Sequence, residues 1–458
     1  MKDISQEIFK AYDIRGIVEK DLTPEVVLLI GKVLGSMALD SQIAALVVGY
    51  DGRLSSPLLA KNLITGILST GCNVYDIGQV TTPMVYFANF ELGTYSGVMI
   101  TGSHNPPEYN GLKMVINSET LSQEKIQHIR KRIIDGDYRE ATPGTITNLD
   151  IKEEYISKIV ADIKLSRPLH LVVDAGNGVA GSIAPLLYRR MGAKVFGIFC
   201  EVDGNFPNHH PDPSKIENLA DLIQAVATSD AEFGLAFDGD GDRLGVVTRD
   251  GKIIFPDRQL MLFAAQVLDQ NPGAKILYDV KSSRLLKSWI SKCGGEPIMC
   301  KTGHSLVKAQ IKQTGALLAG EMSGHIFFND RWYGCDDGVY AGARMLEILS
   351  QVENPSELLN ALPIAVSTPE INIKVSHEGM QHEIIAKLQQ NAVFADAVDV
   401  IMIDGLRVEY ADGFGLVRAS NTTPVLVLRF EADTETALAR IKEQFKQILA
   451  PYVSELDF

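Results

Sequence analysis

Four short apolar runs in this chain each end in a turn built from Gly, Asp, Asn or Ser. They occupy residues 45–53, 169–178, 234–239 and 275–283, and each gives way to a stretch of helical periodicity. Runs of that length, apolar throughout and alternating with helices, predict α/β domains with largely parallel sheets. In open α/β sheets ligands bind beyond the carboxyl ends of the strands, so these turns are where chemistry is expected. A chain of 458 residues exceeds one hydrophobic core and fits two to four domains. Helix starts are legible: Thr23 as N-cap with Pro24 behind it opens a helix over residues 26–39 that stops by Ser41. Ser56 and Pro57 open one that closes near Gly71, and Ser214 with Glu217 forms a capping box.

Polar or Gly/Pro-bearing stretches at 135–150, 248–256 and 363–369 divide the chain into segments 1–150, 151–252, 253–368 and 369–458. The repeated strand-then-acidic-turn texture hints that the first three segments are duplicates. After about residue 370 the texture changes to short alternating strands at 400–405, 406–410, 414–419 and 425–431, followed by an amphipathic helix over 434–449. That pattern predicts a smaller α+β domain with an antiparallel sheet.

Charge and cysteine usage narrow the function. Lys and Arg number 43 against 57 Asp and Glu, a net charge of −14, which argues against nucleic acid or an anionic membrane as partner. An anionic substrate would need a local cluster of Arg and Lys. Cys72, Cys200, Cys293, Cys300 and Cys335 form no Cys-x-x-Cys pair and leave an odd one, as expected of reduced thiols in the cytoplasm. Residues 1–16 lack an apolar signal core, and residues 26–39, interrupted by Lys32, are too short to span a bilayer. The reading is a soluble, cytoplasmic protein.

Two loops carry the chemistry. Residues 97–111 run from Gly-Val-Met-Ile into a Gly/Pro-punctuated loop with Ser103 between Gly102 and His104. No Gly-x-Ser-x-Gly elbow surrounds it, which disfavours a Ser-His-Asp hydrolase. Residues 233–243 run from Phe-Gly-Leu-Ala-Phe into Asp238, Asp240 and Asp242, alternating with glycines. Carboxylates that close repel unless a cation joins them, and an all-oxygen set favours Mg²⁺ over zinc. An EF-hand is excluded, because its sixth and twelfth positions would be Arg243 and Arg249. A hydroxyl beside a hard-cation loop is the equipment of metal-assisted phosphoryl transfer.

Other segments are less specific. Residues 176–181, Gly-Asn-Gly-Val-Ala-Gly, match a dinucleotide fingerprint, with Glu201 near the position of a ribose-binding acid. An oxidoreductase would leave Ser103 and the aspartates idle, so tight packing of a helix on its strand is the better account. Glu321, Ser323 and His325 sit between glycines, suited to hydrogen-bonding sugar hydroxyls. Arg418 with the hydroxyl- and amide-bearing residues 420–423 forms a plausible phosphate clamp. His209 and His210 read as a polar loop.

With these segments in order, the chain resembles the α-D-phosphohexomutase superfamily, in particular its bacterial phosphomannomutase/phosphoglucomutase branch. The matching motifs are residues 11–16, 101–106, 238–243, 301–304, 320–325 and 418–423. The resemblance implies a heart-shaped arrangement of four domains around a central cleft: three similar mixed α/β domains and a C-terminal α+β domain with an antiparallel sheet. It implies that Ser103 is phosphorylated in the resting enzyme and that Mg²⁺ is held by Asp238, Asp240, Asp242 and an oxygen on Ser103. Arg15, His104, Lys113, Arg243 and His304 carry over as catalytic or charge-stabilising groups. Tyr12, Lys281, Glu321, Ser323, His325, Arg418, Ser420, Asn421, Thr422 and Thr423 carry over as substrate contacts. The implied reaction converts hexose 1-phosphates and 6-phosphates, on mannose and also glucose, with glucose 1,6-bisphosphate as activator and intermediate. The implied partners are small hexose phosphates, and the implied state is a monomer or weak homo-oligomer. A phosphoglucosamine mutase is the near alternative; it usually carries Gln and Ser-Gly-Thr where this chain has Met322 and residues 420–422. A phosphosugar phosphatase and a non-catalytic phosphosugar-binding protein are the more distant ones.

Overall fold

The computed structural model describes residues 4–377, 379–421, 423–453, 456 and 458. Three consecutive α/β units repeat one strand plan. In the first, β1 (Ile14–Ile17), β2 (Ala45–Tyr50), β3 (Asn73–Gln79), β4 (Gly97–Ile100), β5 (Tyr109–Ile116), β6 (Glu119–Thr120) and β7 (Ile146–Asn148) form a sheet ordered β1-β5-β4-β2-β3-β7, with β6 beside β5. In the second, β8 (His170–Asp174), β9 (Lys194–Ile198), β10 (Phe233–Phe237), β11 (Leu244–Thr248) and β12 (Ile253–Ile254) are ordered β12-β11-β10-β8-β9. In the third, β13 (Lys275–Asp279), β14 (Glu296–Cys300), β15 (Leu318–Gly320) and β16 (Ile326–Phe328) are ordered β14-β13-β15-β16.

The shared core is four strands. The first pairs in parallel with the second and the third, and the fourth returns antiparallel on the third. Two turns therefore recur in each unit on the same sheet end: one leaving the first strand, one joining the third to the fourth. The three third-to-fourth turns carry Ser103, Asp238 to Asp242, and Glu321 to His325. The suspected duplication is visible in topology, and it explains why the chemistry-bearing loops converge.

The last unit differs. β17 (Val366–Ser367), β18 (Ile371–Lys374), β19 (Asp399–Ile401), β20 (Leu406–Tyr410), β21 (Gly413–Ala419) and β22 (Val425–Ala432) form an antiparallel sheet ordered β17-β22-β21-β20-β19, with β18 also on β22. The helices Met380–Asn391 and Glu435–Leu449 pack on it, the second capped by Thr434, whose side chain accepts from the Ala437 amide.

Burial follows the alternation of elements. Central strands such as β10 and β11 are buried along their whole length, as sheets covered on both faces must be. One apolar cluster runs without interruption from Val47 and Phe87 through Tyr155 and Phe237 to Trp332 and Leu362, joining the first three units. The last unit has its own cluster, with Leu428, Phe430 and Phe445 fully buried. Arg407 reaches across the boundary to donate to the carbonyls of Val280 at 2.6 Å and Ser282 at 2.7 Å.

The helix over Pro24–Asp40 forms as expected, with Thr23 accepting from the Val26 amide. The capping box at Ser214 does not form: the Ser214 amide and hydroxyl are both bonded to Asp212, and the helix starts only at Ala220 after a short 3₁₀ turn. The strand expected over 400–405 is confined to Asp399–Ile401, because residues 402–405 turn sharply into β20. The glycines at 176–181 do not seat a helix on its strand. A 3₁₀ turn over Val179–Ser182 follows instead, and a Cβ on Gly178 would lie 2.8 Å from the Gly239 carbonyl oxygen. The bare backbone there packs turn against turn, and the Val179 amide donates to that same carbonyl at 3.2 Å. All five cysteines are unpaired, and among the described residues no helix is long and apolar enough to cross a membrane.

Candidate active site

Ser103 stands at the turn between β4 and β5 with φ of +49°, left-handed backbone that a serine adopts only when its surroundings enforce it. The enforcement comes from the turn after β2. Asp51 accepts from the Thr101 hydroxyl at 2.8 Å and the Gly102 amide at 3.1 Å. Arg53, 1% exposed, donates to the carbonyls of Ser103, Asn105, Pro106 and Tyr109 and pairs with Asp51. Its five N–H groups form a rigid fork that a lysine cannot reproduce. Sequence reasoning missed both residues as site components. The signal was the Asp-Gly-Arg ending of the first apolar run, visible but unassigned.

The Ser103 hydroxyl points at the second unit, donating to Asp238 Oδ2 at 3.1 Å, with His104 Nδ1 3.2 Å away. Arg15 on β1 donates to the Gly102 carbonyl at 2.6 Å and to Asn105 Oδ1 at 2.5 Å, putting a cation beside the serine loop. The two loops touch through backbone: a Cβ on Gly239 would stand 2.5 Å from the Ser103 carbonyl oxygen. Only glycine permits that approach.

Asp238, Asp240 and Asp242 have no exposed surface, and their carboxylate oxygens lie within 4.8 Å of one another. Lys113 on β5 donates to Asp240 at 2.7 Å and Asp242 at 2.5 Å, while Thr82 donates to Asp240 at 2.5 Å. Burial opposes a charged Lys113, but Asp240 and Asp242 hold its ammonium well above the usual lysine range. Burial, with repulsion from Asp240 and Asp242, pushes Asp238 well above the usual carboxylate range. Oδ1 of Asp240 and Oδ1 of Asp242 are buried and find no hydrogen-bond partner among the described residues. Three buried carboxylates, one lysine and two orphaned oxygens fit a hard divalent cation.

Arg243, directly after the aspartates, faces Asp238 and Asp212 at 3.8 Å each and donates through Nε to His325 Nε2 at 3.1 Å. Burial would raise Asp212, but the Arg243 charge and hydrogen bonds from the Ser214 amide and hydroxyl hold it below the usual carboxylate range. His304 and His325 stack with ring centroids 5.7 Å apart over the buried Asp336. Burial and the Lys308 charge keep His304 well below the usual histidine range, so it is neutral. Desolvation and the Arg243 charge do the same for His104.

The remaining predicted residues line the way outward. Glu321 is 2% exposed, accepts from the Gly303 amide at 2.5 Å and leaves Oε2 without a partner among the described residues. Burial raises it to about 7. Ser323 is half-buried on the same turn. Asp279, at the end of β13, accepts from the Met322 amide at 3.2 Å and the Thr302 hydroxyl at 2.9 Å, serving this turn as Asp51 serves the Ser103 turn. Tyr12 donates to the Thr302 carbonyl at 2.9 Å and receives the Asn421 amide, joining first, third and last units. Arg418 on β21 donates to Asp404 at 3.1 Å, and Ser420 and Thr423 exchange a hydrogen bond at 3.0 Å. Lys281 pairs with Glu370 at 3.0 Å. Thr422 lies outside the described residues. His209 is not a bare loop residue: its Nε2 meets Asp174 at 3.0 Å, pinning the long loop of the second unit to the end of β8.

Comparison with known proteins agrees with this arrangement. Sequence profiles of the phosphoglucomutase/phosphomannomutase family match in order: alpha/beta/alpha domain I at residues 6–140, domain II at 153–251, domain III at 255–365 and the C-terminal domain at 370–448. A phosphoglucomutase of Neisseria gonorrhoeae is 56% identical over 450 residues, 98% of each chain. A phosphomannomutase/phosphoglucomutase of Pseudomonas aeruginosa is 54% identical over 450 residues, 98% of this chain and 96% of that one. The crystal structure of a phosphoglucomutase/phosphomannomutase family protein from Burkholderia thailandensis superposes with a TM-score of 0.94 at 54% identity, covering 98% of both chains. With four domain profiles in register and relatives matched nearly end to end, the chain belongs to the phosphoglucomutase/phosphomannomutase family, whose members are isomerases acting on hexose phosphates.

Proposed function

We propose that this hexose-phosphate mutase stores a phosphoryl group on Ser103, gives it to the free O6 or O1 hydroxyl of a mannose or glucose phosphate to form a 1,6-bisphosphate, and takes the other phosphate back onto Ser103. The observation that carries the reading is the Ser103 hydroxyl held 3.1 Å from Asp238, at the head of three buried carboxylates. Asp238, Asp240 and Asp242, with an oxygen on Ser103, would hold Mg²⁺, which when bound neutralises charge on the transferring group.

This chain's own side chains do the rest. Arg15, on the Gly102 carbonyl, and Arg243, beside Asp238, bring two guanidinium groups to the Ser103 loop for the equatorial oxygens of a phosphoryl group in flight. Lys113, His104 and His304 are the groups near enough to hold or move the sugar hydroxyl's proton, the two histidines being neutral and so able to accept it. Glu321 offers an unpartnered carboxylate oxygen to the sugar hydroxyls, with Ser323 beside it. Arg418, Ser420, Asn421 and Thr423 grip the phosphate that does not react, and Lys281 and Tyr12 flank that grip. The bisphosphate must present each end to Ser103 in turn. A separate clamp plus a few sugar contacts suits two opposed orientations better than a tightly shaped pocket. The partners are accordingly small hexose phosphates, the setting is cytoplasmic, and the four segments 1–150, 151–252, 253–368 and 369–458 act as the domains.

A serine phosphate ester resists water, so the store survives between turnovers. Incubation with glucose 1,6-bisphosphate followed by intact-mass measurement should add one phosphoryl group to the wild-type chain and none to Ser103→Ala. Full mutase activity in Ser103→Ala would refute the reading.

A further inference from the structure

Asp336 follows β16 in the turn leading to the helix Gly338–Leu349, has no exposed surface, and matched no expectation from sequence. Three basic side chains converge on its carboxylate. Lys308 Nζ lies 2.9 Å from Oδ1, while His325 Nδ1 and His304 Nδ1 lie 3.2 Å and 3.7 Å from Oδ2. The far side of His325 determines what this means. Arg243 Nε–H points at His325 Nε2 from 3.1 Å. An arginine nitrogen only donates, so Nε2 must carry the lone pair, and the ring proton must be on Nδ1. There it lies 3.2 Å from Asp336 Oδ2 and 3.4 Å from Asp242 Oδ1, out of line for a hydrogen bond to either, so the two carboxylates favour it there by charge alone.

The same proton settles a competing use of these groups. Asp242, His325 and Asp336 bring ligand atoms within 4.8 Å of one another, near enough for an ion. Such an ion would need the Nδ1 lone pair, which would move the proton to Nε2 and set it against the Arg243 N–H. The hydrogen bond from Arg243 and a metal on Nδ1 exclude each other.

We propose that Asp336 is a positioning residue of the phosphoryl-transfer site: it fixes His325 in the Nδ1-protonated tautomer, so that Nε2 holds Arg243 against Asp238, the carboxylate facing Ser103. Lys308 balances the buried charge and extends the brace. Its ammonium also donates to the Tyr86 hydroxyl at 2.9 Å and sits 4.1 Å from the centre of that ring. Tyr86 belongs to the helix Thr82–Glu91, whose first residue grips Asp240 through both its amide and its hydroxyl. Asp336 therefore braces the serine and aspartate loops from the third unit without touching substrate. Loosening it moves Arg243 in the transition state and leaves the sugar contacts and phosphate clamp in place.

The inference rests on the proposed role of Ser103, and its test separates the two. Asp336→Ala alone would strand the Lys308 ammonium in the interior, so the informative pair is Asp336→Asn with Lys308→Met against Asp336→Ala with Lys308→Met. Both remove the Asp336 and Lys308 charges; only the first keeps an oxygen dipole beside His325 Nδ1. The Ala pair should have a kcat about ten- to a hundredfold below that of the Asn pair, with KM for the hexose phosphate nearly the same in the two. Nitrogen-15 NMR of histidine-labelled protein should show His325 protonated on Nδ1 in the wild type and a tautomer mixture in the Ala pair. Equal kcat in the two pairs would overturn the proposal, as would an Nε2-protonated His325 in the wild type. The NMR readout stands whether or not Ser103 is the phosphoryl carrier, whereas a wild-type chain that turns over no hexose phosphate would fail the reading of Ser103 instead.

Discussion

Glu321 and Arg418, the proposed sugar and phosphate contacts, meet opposite physical problems. Glu321 is a carboxyl that burial raises from an ordinary 4.5 to about 7, so near neutral pH it changes between acid and carboxylate. Only the carboxylate offers full acceptor capacity to sugar hydroxyls, so kcat/KM should rise with pH through about 7, and Glu321→Gln should flatten that limb. The stability sign runs the other way. A raised carboxyl binds its proton more tightly in the folded state, so its contribution is fully present below 4.5 and lost as pH rises to about 7. Urea melts of wild type and Glu321→Gln across that range should converge at low pH and show the variant relatively more stable at pH above the shift. Arg418 stays charged, and its partner Asp404 is already shared with the Thr302 amide at 3.0 Å. Since a hydrogen bond to a charged group is worth roughly 1.5–3 kcal/mol, Arg418→Ala should raise KM about tenfold or more with a smaller change in kcat. An unchanged KM would remove Arg418 from the clamp.

Turns carry the site, and each is held by the turn beside it. Asp51 and Asp279 occupy the same place in two repeats, at the end of the first strand, and each bonds the third-to-fourth turn of its own unit. Arg53 adds four carbonyl contacts to the Ser103 turn from full burial. Breaking a buried pair leaves a charge without a partner, so Arg53→Met should cost about 3–5 kcal/mol in urea unfolding and slacken Ser103 enough to depress kcat. Arg53→Lys should recover part of the stability and little of the rate, because one ammonium cannot span four acceptors. At this scale the sequence was partly legible. Strand ends, the Thr23 cap, and the serine and aspartate loops follow from local patterning. Asp51 and Arg53 do not, since their importance lies in partners 50 to 56 residues away, and Asp336 does not, since it gathers side chains from two other elements, 11 to 32 residues back. The Ser214 box failed for a related reason: Asp212, two residues off, outbid the helix for the serine.

Across the whole molecule, one apolar cluster spans the first three units, beside smaller ones within each, and the last unit has its own. Between Phe87, Tyr155, Trp332 and Tyr340 the aromatic rings of all three units pack at centroid distances of 4.3 to 6.0 Å. The boundary with the last unit is narrower in apolar content, with Val280 against Phe414 and Leu416, and is otherwise polar. Arg407 and Arg429 cross it to carbonyls of the third unit, and Glu431 accepts from Ser283 at 2.9 Å. Calorimetry should therefore resolve a second, smaller transition for residues beyond about 370, and hydrogen exchange should protect them separately. A single two-state transition of the whole chain would contradict that division. Duplication among the first three units was hinted at by repeated strand endings, and four units around one cleft were implied by the family resemblance; the apolar cluster shared by three of them was not foreseeable, because it depends on side chains that meet only in the fold.

The most direct test of the central claim is phosphorus NMR of the wild-type protein with Mg²⁺, a trace of glucose 1,6-bisphosphate and mannose 1-phosphate. The predicted result is growth of the mannose 6-phosphate signal with no release of inorganic phosphate, repeated with glucose 1-phosphate and abolished by Ser103→Ala. Release of inorganic phosphate in place of the 6-phosphate would contradict a phosphoryl group stored on Ser103 and returned to the sugar.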